Sequence, residues 1–256
     1  MREISRQRQL VEQEGIIHSV MRGWRGRFHF ENMPRLLRAF GWFLNIARLR
    51  NIGRANALKI EVNTIDLEPD KLPRAFDGFR LLFVSDLHID GNRELTDKII
   101  KLVNDLDFDL CLLGGDYSFS FSWMEDVDHT NLRDIVSALT RKGRVAGVLG
   151  NHDIYKVAEY LERLGVEMLM NENCGIERNG QKICVAGIDD CHYFGSDDLR
   201  LASEGIEDSA FKIMLAHSPE RLFDAADSGY DVYLAGHTHG GQICLPCGFQ
   251  IVRGAS

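Results

Sequence analysis

Five short segments of the chain carry side chains that bind hard divalent metal ions. Aspartate, asparagine and histidine suit Mn, Fe, Zn and similar ions rather than Cu(I) or iron–sulfur chemistry, and none of the segments contains cysteine. This set of ligand types is typical of a two-metal hydrolytic site that cleaves a phosphate ester or anhydride. The segments are Ser85-Asp86-Leu87-His88, Gly114-Gly115-Asp116, Gly150-Asn151-His152-Asp153, Ala216-His217-Ser218 and Gly236-His237-Thr238-His239-Gly240-Gly241.

Each of these segments comes directly after a run of apolar residues that predicts a β-strand. Taken alone, a Gly-Asp pair or a single histidine after a strand is common in α/β proteins, where the glycine lets the chain turn. Because open α/β sheets gather their ligand sites at the carboxyl ends of strands, the segments together predict one shared site. The predicted strands are residues 80–85, 110–113, 144–149, 183–188, 212–216 and 232–235.

Amphipathic helices alternate with several of these strands. Apolar side chains recur at helical spacing in residues 94–106, 131–141, 155–164 and 219–226. The alternation predicts an α/β sandwich of two sheets with the site on one edge. Alternating residues at 58–62 predict a further half-buried strand that begins this domain. We therefore expect a basic, amphipathic segment over residues 1–56 and one catalytic domain over residues 57–256.

The order of the five motifs resembles the calcineurin-like metallophosphoesterases. Asp-x-His, Gly-Gly-Asp, Gly-Asn-His-Asp, a lone His and Gly-His-x-His follow one another between residues 79 and 242. The runs at 114–117 and 236–242 are similar to a bacterial, membrane-linked branch that includes UDP-2,3-diacylglucosamine pyrophosphatases. The resemblance implies a four-layer α/β sandwich with a binuclear metal centre. Family members continue for several dozen residues beyond the last motif, so an end at Ser256 predicts a second sheet without its last strands.

The resemblance also implies which residues hold the two metal ions. The ligands of the first ion would be Asp86, His88, Asp116 and His239. The ligands of the second ion would be Asp116, Asn151, His217 and His237. A shared carboxylate offsets the repulsion between cations about 3.5–4 Å apart, and Asp116 is the candidate bridge. In an extended segment residues i and i+2 point the same way, so the spacing predicts that Asp86 and His88 converge on one ion.

His152 and Asp153 are the candidate catalytic residues outside the ligand set. The resemblance implies that His152 contacts the substrate phosphate and protonates the leaving oxygen, with a purely structural hydrogen bond as the alternative. Asp153 would orient the His152 imidazole, as carboxylates commonly do for working histidines. Two divalent ions (Mn, Fe or Zn) would activate a hydroxide that attacks phosphorus in line.

The net charge differs between the two parts of the chain. Residues 1–60 hold 12 Lys and Arg against 4 Asp and Glu, whereas residues 61–256 hold 18 against 34. A strongly acidic domain disfavours binding of a nucleic-acid backbone, and two divalent cations would offset part of its charge. We therefore expect a small-molecule or lipid-linked phosphate substrate rather than a polynucleotide.

The basic segment carries a candidate membrane-binding helix. Between residues 34 and 50, apolar side chains recur at helical spacing alongside arginines. The apolar stretch is too short to cross a bilayer, which takes about 20 residues, but such a helix could lie on an anionic membrane surface. The first fifty residues lack the pattern of a secretory signal, so we expect a cytoplasmic protein on the cytosolic membrane face. A helix packed on the catalytic domain or a disordered basic arm is the alternative.

Other polar residues leave alternatives open. The six cysteines lack tight framework spacing and predict reduced thiols, although Cys244 and Cys247 have the C-x-x-C spacing of a redox pair or half a zinc site. Asp189 and Asp190 either border the substrate pocket or cap a loop, and their position after a strand favours the loop.

Three functional hypotheses follow from these patterns. The first is a metal-dependent phosphodiesterase or pyrophosphatase acting on a phosphoester or phosphoanhydride, including that of a lipid-linked nucleotide sugar. The second is a protein phosphatase, which the branch resemblance and the acidic domain favour less. The third is a metal-binding scaffold at the membrane that does not turn over substrate.

Overall fold

Two four-stranded sheets form the centre of the chain in a computed structural model, which describes residues 6–13, 42, 49–89, 92–118, 129–239, 243–244 and 250–252. The strands of the first sheet are β1 (Leu81–Val84), β2 (Leu110–Leu113), β3 (Arg144–Gly147) and β4 (Glu167–Met168). They pair in chain order and are all parallel, so their carboxyl ends meet at one edge.

The second sheet combines a hairpin with two parallel strands. Its strands are β5 (Glu172–Arg178), β6 (Gln181–Gly187), β7 (Phe211–Ala216) and β8 (Val232–Ala235). β5 and β6 are antiparallel, while β6, β7 and β8 run parallel to one another. A separate antiparallel pair follows in β9 (Ile243–Cys244) and β10 (Gln250–Val252).

Helices cover the outer face of each sheet. The described helices are α1 (Arg6–Gln13), α2 (Leu49–Ala57), α3 (Arg93–Asp105), α4 (Thr130–Lys142), α5 (Tyr155–Arg163), α6 (Leu199–Ala202) and α7 (Leu222–Asp227). Single 3-10 turns occur at Arg74–Phe76 and Pro219–Arg221. The Asn92 side chain accepts a hydrogen bond from the Leu95 amide at 3.2 Å and thereby caps the start of α3.

The alternating side chains of the strands build three apolar layers. Leu110 and Leu112 of β2 face the second sheet and pack with Val185 and other residues between the sheets. Cys111 and Leu113 point the other way, towards the helices that cover the first sheet. On the far side of the second sheet, Ala186, Met214 and Ala216 pack against Ala202 of α6 and Ala225 of α7. The resulting order is helix, sheet, sheet, helix, so the predicted two-sheet α/β sandwich is confirmed.

Most of the predicted strands and helices are present with ends shifted by one or two residues. The strands at 110–113 and 232–235 have the predicted bounds, because each is a short apolar run between an aspartate and a glycine. Within the two four-stranded sheets and their helices, β4, β5 and α6 were not predicted, because they are short or rich in polar residues. The helices α1 and α2 and the pair β9 and β10 were not predicted either.

The strand predicted at 58–62 is wrong. Residues 58–69 form no strand, and Val62, Ile65 and Leu67 are exposed by 48%, 78% and 61%. The alternation of apolar and polar residues at 58–62 therefore reflects β-propensity alone, since no described strand pairs with this segment.

The predicted membrane helix at 34–50 lies outside the described residues except for residues 42, 49 and 50. Within the described part of the chain, no helix has both the length and the apolar character needed to cross a bilayer. The described helices of the basic segment are α1 and α2, and α1 contacts the α/β domain.

Candidate metal centre

The carboxyl ends of five strands bring the predicted ligands together. Asp86 and His88 follow β1, Asp116 follows β2 and Asn151 follows β3. His217 follows β7, while His237 and His239 follow β8. Three of these strands belong to the first sheet and two to the second, so the candidate site spans the same edge of both sheets.

Two groups of ligand-type atoms form at this edge. In each group the nitrogen and oxygen atoms all lie within 4.8 Å of one another. The first group is Asp86, His88 and His239, and the second is Asp116, His217 and His237. The groups coincide with the two predicted ligand sets, apart from Asn151 and the shared role of Asp116.

Asp116 lies between the two groups. Its Oδ2 is 3.6 Å from His88 Nε2 and 3.3 Å from His217 Nε2. Burial opposes ionisation of Asp116, but the charge and hydrogen bond of His217 outweigh it and lower the pKa of this carboxyl. Asp116 is thus a buried carboxylate in reach of imidazoles from both groups, which is the arrangement required of a bridge.

His217 and Asn151 complete the second group. The Nδ1 of His217 lies 2.8 Å from the Gly114 carbonyl oxygen, so that nitrogen donates and Nε2 is directed towards the site. Nε2 lies 2.9 Å from Asn151 Oδ1. Burial disfavours the charged form of His217, but Asp116 outweighs it and raises the pKa to about 10. The carboxylate therefore strongly favours a positive charge at this position.

The imidazoles of His88 and His237 are held neutral. Burial lowers the pKa of His88, and burial together with the charges of His217 and His192 lowers that of His237 to about 3. The buried Nε2 of His237 has no hydrogen-bond partner among the described residues. A neutral imidazole nitrogen without a hydrogen-bond partner, next to a carboxylate, is suited to binding a divalent ion.

Backbone strain concentrates at the candidate ligands. Positive φ angles, which non-glycine residues rarely adopt, occur at Asp86 (54°), His88 (39°), Asp116 (56°), His237 (66°) and His239 (50°). Each such residue costs about 1–3 kcal/mol, and strain of this kind clusters at functional sites. The extended geometry predicted for Asp86 and His88 is therefore wrong, since the two side chains converge through a sharply turning loop.

Two glycines let the loops approach one another. A Cβ on Gly150 would lie 2.1 Å from Asp116 Oδ1, and a Cβ on Gly236 would lie 2.3 Å from Asp86 Oδ2. Real Cβ atoms essentially never come this close to another heavy atom, so only glycine fits at either position. Both glycines thus permit contact between a carboxylate and a neighbouring loop.

Asp153 links the loops that carry Asp116 and Asn151. Its fully buried carboxylate accepts hydrogen bonds from the backbone amides of Gly150 and Asp116 at 2.8 Å and Tyr117 at 3.1 Å. Burial, with the charge of Asp116, raises the pKa of Asp153 to about 6, which leaves it ionised at neutral pH. These hydrogen bonds hold the backbone of the loop that carries His152, and the orienting of the His152 imidazole by Asp153 stays a prediction.

His152 lies at the first group of ligands. Its ring centroid is 5.3 Å from that of His88, and its backbone amide donates to Asp116 Oδ1 at 2.9 Å. The side chain is partly exposed, unlike the buried Asn151 beside it. This position, next to the ligands but open to solvent, is compatible with contact to a bound phosphate.

A histidine that was not predicted also borders the site. His192 lies with its ring 4.4 Å from that of His237, and its Nδ1 is 2.6 Å from Glu220 Oε1. Hydrogen bonding to Glu220 overcomes the effect of burial and raises the pKa of His192. Its position in the loop after β6, at the carboxyl end of a strand, was the sequence signal that could have identified it.

Asp189 and Asp190 begin this same loop. The Asp190 carboxylate accepts hydrogen bonds from the amides of Tyr193 at 2.6 Å and Phe194 at 2.7 Å, so it caps the loop. Asp189 instead accepts from the Ser196 hydroxyl at 2.7 Å and pairs with Arg8 of α1. The C-x-x-C pair lies outside the described side chains.

The two-sheet sandwich and the two ligand groups at its carboxyl edge define a class of metal-dependent phosphoesterase domains. A family model described as "Calcineurin-like phosphoesterase" matches residues 79–241, and the chain belongs to this family. The family uses a binuclear divalent metal centre, so the prediction of two divalent ions as cofactors is confirmed. The assignment of individual ligands stays a prediction, as does the narrower UDP-2,3-diacylglucosamine pyrophosphatase branch.

Several relatives share most of the chain. "Transmembrane protein with metallophosphoesterase domain" from Danio rerio is 31% identical over 72% of this chain and 45% of its own length. "Uncharacterized metallophosphoesterase YkoQ" from Bacillus subtilis is 29% identical over 77% of this chain and 74% of its own length. "Phosphodiesterase YaeI" from Escherichia coli is 30% identical over 66% and 63%. The chain spans about half the length of the first of these relatives.

Proposed function

We propose that the chain hydrolyses a phosphodiester or phosphoanhydride bond with the help of two divalent metal ions. The observation that carries this proposal is the position of Asp116, whose Oδ2 lies 3.6 Å from His88 Nε2 and 3.3 Å from His217 Nε2. A two-metal phosphoryl-transfer site needs such a carboxylate, because it offsets the repulsion between the cations.

Each side chain has a defined role in this proposal. The first ion would be held by Asp86, His88, Asp116 and His239. The second would be held by Asp116, Asn151, His217 and His237. Ions bound there supply an activated water and offset the charge of the phosphoryl oxygens. His152 protonates the leaving oxygen, and Asp153 holds the loop that carries this histidine.

The proposed substrate is a small or lipid-linked phosphodiester or anhydride. The acidic charge of residues 61–256 disfavours polynucleotides, and the relative named a phosphodiesterase supports a diester. The motif runs at 114–117 and 236–242 support the finer proposal of a nucleotide-sugar lipid.

A substrate comparison tests this function. We expect the purified chain with Mn²⁺ to hydrolyse bis(p-nitrophenyl) phosphate or a UDP-linked anhydride faster than p-nitrophenyl phosphate or a phosphopeptide. His152→Ala should keep both ions and lose turnover, since it removes a proton donor and no ligand. Faster hydrolysis of the phosphopeptide would favour a protein phosphatase. Binding of two ions without turnover of any of these compounds would favour a scaffold.

The proposed location is the cytosolic face of a membrane, with residues 34–50 in contact with the lipid surface. The support is the excess of Lys and Arg in residues 1–60 and the helical spacing of apolar residues within 34–50. We expect the chain to float with anionic vesicles and less with zwitterionic ones. Replacing Arg35, Arg38, Arg48 and Arg50 by Ala should reduce flotation, and equal flotation of the two proteins would contradict the proposal.

A further inference from the structure

Helix α1 docks on the α/β domain through a fully buried arginine. Arg8 has 0% exposure, and its guanidinium carbon lies 4.1 Å from the ring centroid of Phe194. It forms ion pairs with Glu12 of the same helix at 2.9 Å and with Asp189, in the loop after β6. Burying an unpaired charge is costly, so both carboxylates are needed to stabilise this arginine in the interior.

The same guanidinium reaches the loop between β3 and α5. Its Nη2 donates to the backbone carbonyl of Asp153 at 2.5 Å. The Asp153 carboxylate in turn accepts from the amides of Gly150 and Asp116, both at 2.8 Å. Arg8 therefore holds the residue that ties together the loops carrying the candidate ligands Asp116 and Asn151.

A second contact of α1 stabilises the start of α5. Glu12 Oε1 accepts a hydrogen bond from the Tyr155 amide at 2.9 Å, at the first residue of α5. The residue before it, Ile154, provides no side-chain cap. A carboxylate is favoured at a helix N-terminus, so Glu12 supplies from another helix the cap that the local sequence lacks.

We propose that Arg8 is a positioning residue for the hydrolytic reaction and that α1 is part of the working catalytic unit. The docked helix holds the 150–155 loop by hydrogen bonds to the Asp153 carbonyl and the Tyr155 amide. It also joins this loop to Asp189, in the loop that follows β6 of the second sheet. The expected effect on kcat rests on the proposed hydrolytic function, whereas the expected effect on loop stability does not.

Full-chain variants of Arg8 test the proposal in two independent ways. With Mn²⁺ and bis(p-nitrophenyl) phosphate, Arg8→Ala should lower kcat by about tenfold or more with little change in KM, as for other residues that orient metal ligands. Arg8→Lys keeps the charge but lacks the planar fork that reaches Asp189 and Asp153 together, so kcat should fall as well. Arg6→Ala removes an exposed arginine of the same helix and should match the unchanged chain.

Amide hydrogen exchange measured without metal or substrate gives the second readout. Peptides covering residues 114–118 and 150–155 should exchange faster in Arg8→Ala and Arg8→Lys than in Arg6→Ala. This readout separates the two proposals, since it applies even if the chain turns over none of the substrates. Should Arg8→Ala fail to fold, both kcat and hydrogen exchange are measured on Arg8→Lys. Wild-type kcat, or unchanged exchange in both peptides, in a folded Arg8 variant would overturn the positioning role.

Discussion

The positions of the side chains in the candidate centre depend on unusual backbone conformations and on close contacts between loops. Five of them adopt positive φ angles, and the loops that carry them touch where Gly150 and Gly236 leave no room for a Cβ. The strain, of about 1–3 kcal/mol per residue, is offset by hydrogen bonds such as those from backbone amides to Asp153. The loops therefore leave no room for an added side-chain atom at these two glycines.

Gly150→Ala should disrupt the centre. The new methyl group would lie 2.1 Å from Asp116 Oδ1, so the carboxylate must move away from the position shared by the two groups. We expect a loss of stability of about 1–3 kcal/mol, as for other overpacked sites, together with loss of metal binding. Thermal unfolding and metal analysis by mass spectrometry measure the two effects.

Gly53→Ala is the matched control for this substitution. Gly53 lies in α2, and no atom of the described residues comes within 4 Å of its added Cβ, so alanine should be neutral or stabilise the helix by about 0.5–1 kcal/mol. Wild-type metal content in Gly150→Ala would contradict the close contact between these loops.

The ligand types could be predicted from the sequence, but their backbone conformations could not. Asp86 and His88 are neighbours in the chain and follow an apolar run, so a shared site was visible from their spacing. Their left-handed backbone depends on the loops packed around them, for example on the Asp86 carboxylate that accepts from the His237 amide at 3.0 Å. Contacts between residues so far apart in the chain leave no local pattern.

Strands buried on both faces are the elements most visible in the sequence. Leu110–Leu113 is fully buried, with alternate side chains in two different cores, and each buried leucine contributes about 1.5–3 kcal/mol. By contrast, the polar strand β5 was not predicted. The Asn179-Gly180 pair in its turn was a usable sequence signal. Both residues have positive φ, as the common two-residue hairpin turns require.

The burial of β2 predicts an unreactive thiol. Burial raises the pKa of Cys111 to about 12, so the reactive thiolate form is scarce at pH 8. We expect iodoacetamide to leave Cys111 unmodified in the native chain and to label it after unfolding in guanidinium. Peptide mass spectrometry measures the label. Equal rates of labelling in the native and unfolded chain would contradict the burial of this strand.

The whole molecule forms its candidate site from widely separated parts of the chain. The ligand candidates extend from Asp86 to His239, and α1 adds Arg8, 181 residues from its partner Asp189. The order of elements predicts that strand ends meet at one edge, since parallel strands in such folds do so. The docking of α1 was not predictable in the same way, because a single buried arginine in a basic segment resembles any exposed one.

The basic residues 1–60 and the acidic residues 61–256 have different expected partners. The acidic residues 61–256 include the carboxylates that would bind cations, whereas residues 1–60 carry the excess of Lys and Arg. A proposed membrane contact by the basic part would bring the acidic centre close to lipid-linked phosphates. Helix α1 belongs to the basic part and contacts the loop between β3 and α5, which carries His152 and Asp153.

The central claim is that Asp116 is shared by two metal ions. Asp116→Asn keeps the shape of the side chain but removes the charge that offsets cation repulsion. Metal analysis by mass spectrometry after Mn²⁺ loading and desalting should find two ions per chain in the wild type and in the exposed control Asp227→Asn. In Asp116→Asn it should find one ion or none, with kcat reduced by more than about a hundredfold. Two tightly bound ions and normal turnover in Asp116→Asn would contradict the account.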